Sequence, residues 1–351
     1  KRRGNFTNTT SLTGWWSYGV FMDTWGRFRR MILFTADWHI KLGQKNVPVA
    51  WACSRYKLFF DQIYNLEKDV DLHIIGGDLF DRVPSMDELT LYFDFVKGVK
   101  VRTVIYDGNH EATRKYKTFF TNLKKVTTEL NPLVKVIDKT TYGEMVPHDY
   151  AILPYADLHK KNSIESINAD VLFTHVRGEI PPHVQPEVDL DRFDKFKVVF
   201  AGDLHAHSNT QRNIVYPGSP MTTSFHRKNV ETGYLLIDNK DQWQWTWHTF
   251  ELPQLIRKTV TDPEDMIQTE WDHTIYEIEG DVSDLSGIKN SELLDKKVIR
   301  RKTEATLILG QDMTIEEELG EYLSYILELD ESKTKNILGV FSDYAKEAGV
   351  E

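Results

Sequence analysis

Five short apolar runs, each broken off by residues able to bind a metal ion, constrain this chain more than any other feature. Met-Ile-Leu-Phe-Thr-Ala at 31–36 leads into Asp37-Trp38-His39, and the run at 70–76 leads into Gly77-Asp78-Leu79-Phe80-Asp81. The run at 101–106 precedes Gly108-Asn109-His110-Glu111, and Val-Leu-Phe-Thr at 171–174 ends in His175. Val-Val-Phe-Ala at 198–201 opens onto Gly202-Asp203-Leu204-His205-Ala206-His207. Runs of this length and composition read as strands. Open α/β sheets place their sites just beyond the carboxyl ends of their strands, so five strand ends are expected to converge on one rim.

Helical patterns between the early strands support an α/β domain. Phe59, Ile63, Leu66 and Val70 recur at three- and four-residue steps and mark one apolar helix face. Ser85-Met86-Asp87-Glu88 has the form of a capping box opening a second helix. Further strands are expected at 149–154, 169–174, 197–201, 213–216 and 233–238 with little helix between them, which favours a second sheet packed on the first. Trp243, Trp245 and Trp247 alternate with polar residues and so share one face of a strand, in keeping with core packing.

After Thr249 the character changes. Pro253 and Pro263 punctuate a charged stretch, followed by the strand-like Thr-Ile-Tyr-Glu-Ile-Glu, a polar segment and Ala-Thr-Leu-Ile-Leu. This reads as a small separate α/β unit. Ile315, Leu319, Tyr322, Leu323 and Ile326, then Ile337, Phe341, Tyr344 and Ala348, define two amphipathic helices. Residues 1–30 show neither period and read as an extension outside the fold, without an apolar segment of signal-peptide type. The expected domains are therefore 31–249, 250–312 and 313–351.

Carboxylate, imidazole and a neutral amide oxygen together suit hard divalent ions, and their chemistry differs from that of the thiolates in structural zinc and iron–sulfur sites. An ordered series of such residues on successive strands fits two-metal phosphoester hydrolysis, in which ions about 3.5–4 Å apart activate water and stabilise the attacking and leaving oxygens. Asp78, central in the series and preceded by glycines, is the expected bridging carboxylate. Asn109 offers a carbonyl oxygen, and His110 beside it is placed to act as general acid or to stabilise the transition state.

The formal charge of −10 over 351 residues opposes nonspecific binding to nucleic acid. It is offset in part by any bound cations and by a basic run at Arg114, Lys115, Lys117, Lys124 and Lys125, which reads equally well as a solvated helix face. The single cysteine, Cys53, leaves no internal disulfide and favours a reducing compartment, so a cytoplasmic protein is expected. No apolar run approaches the roughly 18 residues of a membrane span.

Taken together, Asp-x-His, Gly-Asp-x-x-Asp, Gly-Asn-His-Glu, a lone His and Gly-x-x-His resemble the calcineurin-like metallophosphoesterases. Within that superfamily Asp37-Trp38-His39, Gly-Asp-Leu-Phe-Asp at 77–81, Gly-Asn-His-Glu at 108–111 and Tyr-Pro-Gly-Ser-Pro at 216–220 are similar to SbcD-type nuclease subunits, including the phage recombination type. The resemblance implies a two-sheet α/β sandwich flanked by helices, with a small capping domain and C-terminal helices. It implies that Asp37, His39, Asp78 and His205 hold one manganese or magnesium ion, that Asp78, Asn109, His175 and Asp203 hold the other, and that His110 is catalytic. At position 203 the chain departs from the family's Gly-His-x-His. Either Asp203 ligates with His205, the arrangement that keeps the strand in phase, or the register slips to His205 and His207. Asp81 is expected to support the ligands from outside, and Arg114, Lys115 and Lys117 to approach DNA.

The implied activity is exonuclease and endonuclease cleavage of double- and single-stranded DNA in recombination, repair and replication, in the host cytoplasm if the chain is phage-encoded. The implied assembly is a homodimer within a heterotetramer with an SbcC-like coiled-coil ATPase of the ABC type. Alternatives are a metallophosphatase or cyclic-nucleotide phosphodiesterase, and a non-catalytic adaptor that recruits the ATPase.

Overall fold

A computed structural model of the chain describes residues 31–114, 117–145, 148–239, 242–299, 314–327 and 329–348. The extension at 1–30, Lys115 and the strand expected near 305–309 lie outside the described residues. Along the chain run β1 (Met31–Thr35), α1 (Val49–Leu66), β2 (Leu72–Gly76), α2 (Met86–Gly98), β3 (Arg102–Tyr106), β4 (Ala112–Arg114), β5 (Lys117–Thr118), α3 (Phe120–Leu130), β6 (Val134–Ile137), β7 (Thr141–Met145), β8 (His148–Leu153) and α4 (Tyr155–Leu158). They are followed by β9 (Val171–His175), β10 (Val198–Gly202), β11 (Ile214–Val215), β12 (Gly233–Asp238), β13 (Gln244–Thr249), β14 (Leu255–Val260), β15 (His273–Gly280), α5 (Val282–Ser286), β16 (Leu294–Ile299), α6 (Ile315–Glu321) and α7 (Glu331–Ala348).

Contacts divide the chain into two compact units, one extending to Lys258 and including Ile267–Ile275, the other formed by Thr259–Met266 and the chain from Tyr276 onward. The first unit holds both expected sheets. One has the order β13-β12-β1-β2-β3-β6 and the other the order β11-β10-β9-β8-β7. The parallel neighbours β1, β2, β3 and β6, and likewise β8, β9, β10 and β11, send their carboxyl ends in a common direction within each sheet.

The facing surfaces of the two sheets supply Ile32, Phe34, Ile74, Tyr106, Phe173, Phe200 and Leu235 to one apolar core, joined by Trp243 just before β13. Phe34 meets Phe173 edge to face, with ring centroids 5.4 Å apart. Trp243 is buried and Trp245 and Trp247 pack against the same core, so the alternating tryptophans do serve packing, although only Trp245 and Trp247 lie on β13 and Trp243, at φ 59°, precedes it. The other face of the first sheet is covered by α1 and α2, through Phe59, Phe60, Ile63, Tyr92 and Phe95.

The Ser85 capping box forms in full, with the Ser85 hydroxyl accepting from Glu88 N and the Glu88 carboxylate accepting from Ser85 N. The apolar stripe on α1 ends at Leu66, and Val70 belongs instead to the buried approach to β2. Between β3 and β8 lie elements the apolar pattern does not announce. The basic run is split between the β4–β5 hairpin and α3, where Lys124 pairs with Asp138 at 2.8 Å, so the reading of a single helix face is corrected. α3 buries only Phe120 and Thr127, and Thr127 reaches the core by a 2.8 Å hydrogen bond to the Tyr92 hydroxyl.

In the second unit β15 and β16 pair in parallel from Tyr276↔Leu294 to Gly280↔Ile299. The polar segment of the sequence reading is thus itself a strand, with Lys296 bonded to buried Glu277 at 2.8 Å. The first C-terminal helix passes from α6 into a π-helical turn at Tyr322–Ile326, and α7 follows.

Candidate active site

The chain turns sharply where β1, β2 and β10 end. Asp37, His39, Asp78 and Asp203 all have positive φ, at 57°, 45°, 49° and 102°. Side-chain-bearing residues take such conformations rarely, and they cluster at sites where neighbouring structure fixes a functional group. Gly77, at φ 84°, takes the turn that brings Asp78 inward. At Gly108 a side chain has no room, since a Cβ would lie 2.2 Å from Asp78 Oδ1.

The loops are locked to one another. Asp37 N donates to Gly77 O at 3.1 Å, and His39 N donates to Asp78 O at 2.9 Å. Ser219 of the Tyr-Pro-Gly-Ser-Pro segment braces two strand ends at once, its Oγ donating to Asp37 O at 2.9 Å and its N to His205 O at 3.0 Å. The tightest knot is made by buried Glu111, which the sequence reading quoted in its motif without giving it a role. Its Oε2 accepts from Asp78 N at 3.0 Å and Gly108 N at 2.8 Å, and its Oε1 accepts from Phe80 N at 2.8 Å.

Six predicted residues come together inside this frame. The closest ligand atoms of Asp37, His39 and His205 lie within 4.8 Å of one another, as do those of Asp37, Asp78 and His175. Nε2 of His39 and Nε2 of His205 face each other at 3.0 Å, and His39 Nε2 stands 3.7 Å from Asp78 Oδ2. On the other side of Asp78, His175 Nε2 is 3.5 Å from Oδ2. Its Nδ1 lies 2.9 Å from Gly76 O, a contact that fixes the proton there and turns Nε2 toward the carboxylates. The Asn109 amide lies 2.9 Å from His175 Nε2, and in its flipped orientation its nitrogen donates to Asp78 Oδ2 at 3.1 Å. Asp78 thus stands between the two groups of donors.

This donor set fits divalent cations. Burial pushes the Asp37 carboxyl well above its usual range, reinforced by Asp78 and Asp203 and opposed by His175. Burial disfavours a charged His175, yet Asp78, Asp37 and Asp203 outweigh it and push that imidazole well up. Burial and the neighbouring His39 push His205 down to about 4. A buried pocket that concentrates carboxylates around imidazoles is electrostatically suited to positive charge, and the facing Nε2 atoms have the geometry of ligands to a common centre.

His110 sits at the mouth with its side chain 36% exposed. Its Nδ1 is 2.5 Å from Asp81 O, leaving Nε2 to point inward, 3.8 Å from Asp78 Oδ2. Asp81 faces His39 Nδ1 at 3.6 Å and bonds Lys41 at 2.8 Å, and these two neighbours hold its carboxyl well below the usual range. It stands on the Nδ1 side of His39, away from the Nε2 that faces His205.

At the departing position the strand stays in phase and His205 enters the cage. His207 turns away, its Nδ1 2.6 Å from Tyr216 O and its ring stacked on Trp247 at 4.9 Å. Asp203 is at the edge, its Oδ1 3.8 Å from His175 Nε2, but its carboxylate is engaged by Arg177, which sequence reasoning did not single out. An arginine two positions past a strand end carries no local signal. Of the basic run, Lys117 is exposed on β5 and Arg114 ends β4.

Fold and cage together define a metallophosphoesterase. Residues 30–229, more than half of the chain, match the calcineurin-like phosphoesterase family, and the chain belongs to that family. It is 37% identical over 333 residues to "Probable exonuclease subunit 1" of Escherichia phage T5, covering 90% of this chain and 99% of that protein. Phosphoesterase 244L of Invertebrate iridescent virus 6 is 23% identical over 255 residues, covering 66% of this chain and 82% of that one. Among solved structures, TT1561 of Thermus thermophilus aligns over 63% of this chain and 99% of its own, at 11% identity and a TM-score of 0.42.

Proposed function

We propose that this chain is the nuclease subunit of a DNA recombination and repair complex, hydrolysing phosphodiester bonds of double- and single-stranded DNA with two manganese or magnesium ions. The observation that carries this reading is the conjunction of the clustered candidate metal ligands with 37% identity, over nearly the full length of both chains, to a phage exonuclease subunit. In this reading Asp37, His39, Asp78 and His205 hold one ion, while Asp78, Asn109 and His175 hold the other, beside Asp203. Bound ions would activate a water and offset charge on the phosphoryl oxygens.

The protein's own contributions follow from the geometry. Glu111 and the strand-end hydrogen bonds fix Asp78 before substrate arrives, so little reorganisation accompanies reaction. Asp81 and Lys41 orient His39 from behind. His110 is held through Nδ1 with Nε2 directed into the mouth, where it can give a proton to a leaving oxygen. His110→Ala is therefore expected to slow Mn2+-dependent DNA hydrolysis by about 10²–10⁴-fold while leaving the number of bound Mn2+ ions unchanged. Steady-state cleavage with parallel calorimetric titration checks both, and unimpaired cleavage would remove His110 from the mechanism. Hydrolysis of a phosphomonoester or cyclic nucleotide with DNA left untouched would favour the metallophosphatase reading.

The partner we propose is a coiled-coil ATPase of the ABC type. α6 and α7 leave an apolar groove lined by Leu319, Ile337, Val340, Phe341 and Tyr344, a surface suited to a partner helix. Val340 is 59% and Tyr344 69% exposed, more than such side chains need for packing within their own unit. Val340→Asp combined with Tyr344→Asp is expected to abolish copurification with the ATPase while preserving hydrolysis of a small phosphodiester. A variant that still binds the ATPase would place the interface elsewhere. Exposed Val126, Leu130 and Leu133, on and just after α3, are the surface we assign to a homodimer within that complex. No helix among the described residues is long and apolar enough to cross a membrane, and we place the protein in the cytoplasm, with its DNA substrate.

A further inference from the structure

Strands β9 and β10 are parallel neighbours with His175 opposite Gly202, and the Val176 N–H extends the pairing by donating to Gly202 O at 3.2 Å. Arg177 and Asp203, just past the two strand ends, therefore emerge side by side at the edge of the cage. Asp203 is held in its strained conformation by its own N–H, which donates to Asp37 Oδ1 at 3.0 Å. Its carboxylate takes a two-pronged bond from Arg177, Nε to Oδ2 at 3.1 Å and Nη2 to Oδ1 at 3.2 Å. Such a fork fixes the plane of a guanidinium as well as its position.

The arginine is anchored from its backbone as well. Arg177 N donates to Glu187 Oε1 at 2.9 Å, and Glu187 Oε2 accepts from the Tyr155 hydroxyl at 2.9 Å and lies 3.3 Å from His159 Nε2. The Arg177 side chain is 42% exposed although its Nε–Nη2 edge is bound. Asp203 leaves both hydrogens of Nη1 ungripped, at the margin of a cage whose Asp203 Oδ1 is 3.8 Å from His175 Nε2.

Both oxygens of Asp203 are thus satisfied by a cation that the chain itself supplies. A preorganised guanidinium beside two metal positions is suited to an anionic phosphodiester oxygen, an acceptor to which arginine makes strong charge-assisted hydrogen bonds. We propose that Arg177 contacts the non-bridging oxygen of the phosphodiester, and that Asp203 is the positioning residue that holds it in place instead of a metal ligand. The inference rests on the phosphodiesterase reading and is independent of whether the diester is DNA.

A double-mutant cycle on the full-length protein tests it, using Arg177→Ala, Asp203→Asn and the double variant. Bis(p-nitrophenyl) phosphate serves as substrate and Mn2+ alone as the calorimetric probe; Arg177→Lys is the conservative control, with circular dichroism confirming the fold of each variant. We expect all variants to bind as many Mn2+ ions as the wild type. Arg177→Ala should lower kcat/KM by about 10²-fold, Arg177→Lys should recover only part of that because it lacks the fork, and the double variant should be no worse than Arg177→Ala. Loss of one Mn2+ ion in Asp203→Asn with full binding in Arg177→Ala would make Asp203 a ligand and overturn the proposal. So would strictly multiplicative losses in the double variant. If the small diester is cleaved but DNA is not, the DNA reading fails while the role of Arg177 is still decided.

Discussion

Asp78→Asn is expected to slow hydrolysis of any phosphodiester by at least about 10³-fold and to reduce the number of Mn2+ ions bound, with little effect on the fold. The carboxylate stands between His39 Nε2 at 3.7 Å and His175 Nε2 at 3.5 Å, so both groups of donors lose the same shared charge. Asparagine keeps the Oδ1 that accepts from His110 N at 3.0 Å and tolerates the φ of 49° at this turn, so the loop geometry should survive. Burial works against ionising Asp78, yet the three imidazoles of His175, His39 and His110 hold its carboxyl well below the usual range. That charge is the one an amide cannot replace. Calorimetric Mn2+ titration alongside steady-state kinetics reads both effects, and an Asp78→Asn protein with unchanged turnover would remove Asp78 from the centre of the site.

Glu111→Ala should produce the largest loss of stability of any single change at the site, about 3–5 kcal/mol, because three buried N–H groups lose their acceptor together. These donors belong to Asp78, Phe80 and Gly108, on two loops that this carboxylate ties together from within. Burial and the nearby Asp78 push the Glu111 carboxyl well up, and the N–H groups of Phe80 and Gly108 pull against that shift. Glu111→Gln keeps one acceptor oxygen but turns an N–H₂ toward backbone donors, so it should recover only part of the loss. Urea unfolding monitored by circular dichroism measures it: a midpoint for Glu111→Ala equal to wild type would show that the loops are held by other contacts.

Much of the site was legible because its residues fall at places the sequence marks twice, once by composition and once by position. Asp37, His39, Asp78, Asn109, His175 and His205 each follow an apolar run, and the strand register brings their side chains to one rim. The turn chemistry was legible as well, in the glycines before Asp78 and in the Ser85 capping box. Arg177 was invisible because its role comes from adjacency to Asp203 across two strands distant in sequence, and one chain alone does not display that pairing. Glu111 was quoted as part of a motif, but its role depends on reaching back to the β2 loop.

The elements that escaped prediction share a physical cause. α3 fully buries only Phe120 and a threonine while its apolar Val126 and Leu130 stay exposed, so its apolar pattern does not mark its buried face. β7 runs Thr-Tyr-Gly-Glu-Met at the edge of its sheet, where one side is unpaired and apolar alternation is not required. β16 carries Leu-Asp-Lys-Lys-Val-Ile, and its lysine is drawn in by Glu277 across the pair. Trp245 and Trp247 of β13 announced themselves because a two-residue period on a half-buried strand is the strongest pattern a sheet imposes.

Nucleotide release from linear duplex DNA tests most directly the proposed cleavage of DNA with divalent ions. The purified chain, alone and with the proposed ATPase partner, would be assayed in Mn2+, in EDTA and as Asp78→Asn. Release in Mn2+ that is lost in the other two conditions is the expected result. DNA left intact in Mn2+, with a phosphomonoester hydrolysed by the same preparation, would contradict it.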